Sequence, residues 1–157
     1  MDKKRKALNL NNKSFSSSFT IIYLPVILHE KAICTEDDSI EMIRKYWNNE
    51  AIALQEQVMA FYLNNANKLI GYKLISTGTM TACLVDVKLI VSLALHCMAT
   101  YVIIAHNHPS GKMQPSKQDI QITEKIKKAL ELIDVRLMDH IILSSENYLS
   151  LANEGYC

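Results

Sequence analysis

The chain has 157 residues, about half of them apolar (49%) and a fifth charged (21%), with a formal net charge of +1. These values fit one ordinary globular domain with room for a substantial core. They exclude a whole-molecule field that would steer the chain to nucleic acid or a membrane surface. The apolar runs are too short to span a bilayer, so no membrane partner is expected.

At the N-terminus, Lys3, Lys4, Arg5 and Lys6 form a basic cluster that leads into an Asn/Ser-rich stretch. No apolar h-region follows, so this is not a signal peptide. Residues 1–18 read as a basic, disordered tail, with phosphate-backbone contact as the alternative. Residues 19–157 read as a single domain. Phe19 to Leu28 is rich in β-branched and aromatic residues and predicts a strand, with Pro25 marking an edge or a bend.

Thr35 is placed to cap a helix whose apolar residues Ile40, Ile43 and Trp47 fall at helical spacing. Glu56 then opens an apolar run, Val58 to Leu63, that reads as a buried strand. Turn residues Asn64 to Lys68 return the chain into a second strand, Leu69 to Ile75, which makes a hairpin. Val87, Ile90, Val91, Ala94 and Met98 mark one face of a helix. A short strand, Tyr101 to Ala105, is expected to stop at His106, and residues 106–115 to form a loop. Ser116 caps a long helix with Ile120, Thr123, Ile126, Leu130 and Ile133 on its buried face. A last strand, Val135 to Leu143, leads to a closing segment around Tyr148 to Leu151. Strands and helices alternate in the second half, so the expected class is α/β, a mixed sheet covered by helices.

The stretch HNHPSGKMQPSKQD carries the chemistry. Just after a strand, the i, i+2 spacing of His106 and His108 sends both imidazoles to one side of the backbone. Neutral imidazoles are good zinc ligands, and Asp119, in the first turn of the next helix, supplies a third. Three protein ligands leave one tetrahedral position for water, the mark of a catalytic zinc site. Zinc lowers the pKa of bound water towards ~7, and Glu56, at the head of its strand, is the candidate general base for that water's attack on a carbonyl. The Ser116 hydroxyl is a candidate oxyanion donor. Ser110 and Gly111 are candidates for the substrate cleft, although loop shape explains them as well.

These residues resemble the JAMM motif of MPN-type metallopeptidases: His106-x-His108, seven residues, Ser116, two residues, Asp119. Pro109-Ser110-Gly111 and Asp139-His140-Ile141-Ile142 resemble the RadC branch of that family, over roughly Glu50 to the C-terminus. Glu56 falls where the family's catalytic glutamate lies, and Ser76-Thr77-Gly78-Thr79 resembles its Ser-x-Gly turn. The resemblance implies a cytidine-deaminase-like (MPN/JAB) fold, one Zn2+ per chain, and hydrolysis of an amide or isopeptide bond in a peptide or protein substrate. Residues 1–50 show nothing like the Gly-rich helix-hairpin-helix region of full-length RadC proteins, and Val87-Lys88 stands where the family has Pro-Arg. Lys keeps that charge but loses the bidentate fork.

Bland readings stand beside these. Ser116 and Asp119 also fit a capping box. His140, inside an apolar strand, reads as a hydrogen-bonded core histidine and not as a fourth ligand. Asp139 either orients a metal-bound imidazole or fills an ordinary surface or turn position. His29 and His96 read as structural. The cysteines, Cys34, Cys83, Cys97 and Cys157, lack Cys-x-x-Cys spacing and read as reduced thiols of a cytoplasmic protein. That absence also separates the chain from zinc nucleobase deaminases, and His-Asn-His is too compact for an HNH nuclease. Two alternatives to the zinc hydrolase remain: a nucleic-acid-associated accessory protein that binds through the tail, and a non-catalytic MPN scaffold.

Overall fold

The computed structural model describes residues 31–78 and 84–157. The basic tail, the expected strand Phe19–Leu28, His29, Thr79 and Cys83 lie outside them. The described elements run α1 (Glu36–Tyr46), β1 (Gln57–Leu63), β2 (Leu69–Thr77), α2 (Val87–His96), β3 (Tyr101–Asn107), α3 (Lys117–Glu131), β4 (Arg136–Leu143) and β5 (Tyr148–Ser150). The strands form one mixed sheet in the order β2-β1-β3-β4-β5. The β1–β2 hairpin and the β1–β3 and β4–β5 pairs are antiparallel, while β3 and β4 are parallel and joined through α3.

Strand periodicity divides the core between the two sheet faces. Met59, Phe61 and Leu63 of β1 join Ile103 and Ala105 of β3 against Ile40, Met42 and Ile43 of α1. Their neighbours Val58, Ala60 and Tyr62 join Val102 and Ile104 against Ile90 and Ala94 of α2 and Ile126 and Leu130 of α3. With helices on both sides, all of β1 is buried, which explains why it reads as a continuous apolar run and not as an alternation. Arg44 ties α1 to the β4–β5 turn by donating to the carbonyls of Ser144, Ser145 and Asn147.

Three expected helix positions fall outside their helices, Trp47 being the extended C-cap that ends α1 while its side chain still packs in the core. Met98 lies beyond the end of α2 with φ of 53° and is 72% exposed. The Ala99 N–H reaches back to the Ala94 carbonyl, so the left-handed residue ends the helix there and swings its side chain outward. Ile133 follows the C-cap Leu132 of α3 and packs on the core from the connecting turn. None of the described helices is long and apolar enough to cross a membrane.

Candidate metal centre

β3 does not stop at His106. It continues to Asn107 because the Asn107 side chain holds it there. This fully buried amide donates to the carbonyls of Ile52 (2.7 Å) and Gln55 (2.9 Å), and its oxygen accepts from the Gln57 N–H at 2.7 Å. The bonds bracket Glu56 on both sides and bind its backbone to the strand that carries His106. Asn107 points to the α1 side of the sheet, so His106, one residue earlier, points to the α3 side beside its paired residue Val58. Sequence reading treated Asn107 as loop filler. A polar residue between two candidate ligands, on the opposite face, was the available signal.

After the loop that follows β3, the first turn of α3 comes back against His106 and His108. The Ser116 hydroxyl accepts from the Asp119 N–H at 3.1 Å, and one Asp119 carboxylate oxygen accepts from the Ser116 N–H at 2.6 Å. The capping box is therefore present. It also aims the carboxylate: Asp119 Oδ1 lies 3.4 Å from His106 Nε2, and Oδ2 lies 3.6 Å from His108 Nε2. The two Nε2 atoms are 3.0 Å apart. A tetrahedral ion with bonds of about 2.0–2.1 Å would need donor separations of roughly 3.3 Å, so two imidazole nitrogens and a carboxylate at these distances fit zinc. The donor atoms of His106, His108 and Asp119 lie within 4.8 Å of one another and, among the described residues, could hold a metal ion. His108 Nδ1 donates to the Lys112 carbonyl at 2.7 Å, which leaves Nε2 as the free ligand atom.

Burial pushes the His106 imidazole down to about 4, against the pull of Asp119, so the ring is neutral as a ligand must be. The hydrogen bond to Asp119 raises His108 above its ordinary value. Burial opposes ionisation of Asp119, but its bonds to His108 and Ser116 and the nearby His106 outweigh it and hold the carboxyl well below the usual range. Burial raises Glu56; His108 lowers it and Asp119 raises it further. A carboxyl shifted upward in this way is suited to taking and returning a proton.

One cavity of about 610 Å³ is lined by Glu56, Ser110, Ser116 and the three candidate ligands. Gly111 is not part of its wall. Its N–H closes a turn onto the His108 carbonyl, and its φ of +73° suits glycine, so the turn accounts for it. Among the described residues, the Asp139 carboxylate is hydrogen-bonded to no imidazole. It accepts from Ser150 Oγ, the Ala152 N–H and the His140 N–H, and braces the C-terminal turn. His140 is buried, with Nε2 facing His106 Nδ1 at 2.8 Å and therefore not facing the cluster of free donor atoms. His96 is exposed, with its ring within reach of the Ser92 carbonyl one turn earlier on α2. The described cysteines Cys34, Cys97 and Cys157 are free thiols.

The sequence model of the RadC-like JAB domain matches residues 33–156. A UPF0758 protein of Flavobacterium johnsoniae is 44% identical over 100 residues, covering 64% of this chain and 44% of its own length. One from Streptococcus suis is 35% identical over 130 residues, 83% of this chain and 51% of that protein. The UPF0758 protein YkfG of Escherichia coli is 36% identical over 129 residues, 82% of this chain and 80% of YkfG. The chain spans about half the length of several of the curated relatives it matches, among them those of Flavobacterium johnsoniae and Streptococcus suis.

Proposed function

The chain belongs to the RadC-like JAB domain family, and from that premise we propose that it is a zinc-dependent hydrolase of amide or isopeptide bonds, acting in the cytoplasm on a peptide or protein. His106, His108 and Asp119 hold the metal, Glu56 is the general base and Ser116 the oxyanion donor. One observation carries the reading: three ligand atoms at tetrahedral spacing share a cavity with a carboxyl whose proton affinity is raised.

When bound, zinc supplies a Lewis acid that acidifies water and polarises a carbonyl. The residues do the rest. Glu56 takes the proton of the attacking water and returns it to the leaving amine. The Ser116 oxygen already accepts from the Asp119 N–H, which leaves its hydrogen to point at the developing oxyanion. Asn107 keeps Glu56 in place through the backbone on either side of it. Ser110 lines the approach to these groups.

The test is metal content by mass spectrometry on protein purified without added metal or chelator, followed by turnover on a panel of peptide and isopeptide substrates. About one zinc per chain is expected in the wild type and none in His106→Ala. Glu56→Gln is expected to keep the metal and lose roughly 10²- to 10⁴-fold in rate. A wild type that stays metal-free after zinc is supplied would overturn the proposal.

A further inference from the structure

Two buried side chains, not expected from sequence to act together, run in line behind the candidate ligand His106. Thr123 on α3 and His140 on β4 are both interior, with 0% and 2% of their surface exposed. The Thr123 hydroxyl lies 2.6 Å from the Asp119 carbonyl oxygen and 2.5 Å from His140 Nδ1. His140 Nε2 lies 2.8 Å from His106 Nδ1.

The hydrogens along this chain can be assigned by elimination. A carbonyl oxygen brings no hydrogen, so the single hydroxyl hydrogen of Thr123 must lie on the bond to Asp119. The Thr123 oxygen is then an acceptor, and the hydrogen between it and His140 belongs to Nδ1. Both His140 ring nitrogens are engaged by neutral groups, Thr123 Oγ1 and His106 Nδ1, and no carboxylate of the described residues is hydrogen-bonded to the ring. A buried imidazole without a counter-charge stays neutral, so His140 Nε2 carries only its lone pair. The bond to His106 must therefore be donated by His106 Nδ1–H. That leaves His106 Nε2 bare, and this is the atom that faces His108 and Asp119.

We infer that Thr123 and His140 are positioning residues that hold His106 in the tautomer presenting its Nε2 lone pair to the metal position. The inference rests on the metal reading for its purpose, but the tautomer is a property of the metal-free chain. An unrestrained neutral imidazole samples both tautomers, and the wrong one puts a proton where the metal must bind. The chain starts from the backbone carbonyl of Asp119, itself a candidate ligand. The same hydroxyl thus ties the helix carrying one ligand to the strand histidine that orients another.

The experiment uses the metal-free full-length chain with 15N-labelled histidine, read by long-range proton–nitrogen correlation, and the same proteins in zinc titrations against a chelator. Wild type and Thr123→Ser should show His106 protonated at Nδ1. Thr123→Val, equal in shape but without the hydroxyl, should show both tautomers and bind zinc about 10- to 100-fold more weakly, the usual scale for losing an outer partner of a metal ligand. Protonation of His106 at Nε2 in the wild type would overturn the inference, whatever the variants do. So would a Thr123→Val protein that keeps both the tautomer and the affinity. A wild type with the Nδ1–H tautomer and no zinc affinity would defeat the metal reading and leave the tautomer assignment standing.

Discussion

α1 and α3 begin in the same way. Thr35 and Ser116 each accept from the N–H of an aspartate three residues on, and each aspartate returns a carboxylate oxygen to the cap N–H. In both, a negative charge sits favourably in the first helical turn. What differs is the neighbour. Asp38 meets the exposed Lys31 ammonium at 2.7 Å, whereas Asp119 meets two imidazoles at the edge of a cavity. The same local motif thus ends in a solvated ion pair at one helix and in a donor set shaped for a cation at the other. Local sequence builds the box, and the strand brought against it decides its use.

The largest expected effect follows from removing the two carboxylates. Asp119→Ala should abolish zinc binding, while Asp38→Ala should leave about one zinc per chain; metal analysis of both proteins checks this. Equal zinc loss in the two variants would mean that the carboxylates matter only through the fold.

Acid should separate the boxes by pH. In metal-free protein, burial depresses His106 to about 4 and His140 well below 6.5. Between those values the unfolded chain binds more protons than the folded one, so stability present above about pH 6.5 is lost as pH falls. For His106 the loss is on the order of 3 kcal/mol. His108 is raised, so its contribution runs the other way and is lost as pH rises through its elevated value. The metal-free protein should therefore be most stable near pH 6.5. Asp38, held down by Lys31 and by the backbone of Cys34, keeps its contribution until the pH falls below the ordinary carboxylate range. Denaturant unfolding of the metal-free protein, followed from pH 7 to 4, should show stability falling across this range, and Asp38→Asn should leave that pH dependence unchanged.

The smallest effects compare the caps. Thr35→Ala and Ser116→Ala should each cost about 1 kcal/mol in denaturant unfolding. Only Ser116→Ala should also slow turnover, by roughly 10²- to 10³-fold, as loss of an oxyanion donor does. Equal turnover in the two variants would reduce Ser116 to a cap.

The described helices and strands were legible because their signals are local. Thr35 and Ser116 stand before apolar residues at helical spacing, and Asn64 to Lys68 interrupts two apolar runs. Trp47, Met98 and Ile133 were misplaced because apolar periodicity runs on past a helix end that a left-handed residue or a C-cap sets. The candidate ligands could be picked out because all three residues lie within fourteen positions, on a strand end and the first turn of the next helix. Gly111 and Asp139 each admitted a role at the site or an ordinary one from sequence, and the structure gives them a turn and a C-terminal brace.

By itself, the sequence determined the α/β class, the capping boxes and the spacing of His106, His108 and Asp119, because each depends on residues within a few turns of one another. Tertiary structure alone decided that Asn107 grips the chain around Glu56, fifty residues away, and that Thr123 and His140 stand in line behind His106. Those contacts arise from which strands pair and which faces the helices cover. The direction of a hydrogen bond between such partners depends on the order of groups in space, which no pattern along the chain encodes.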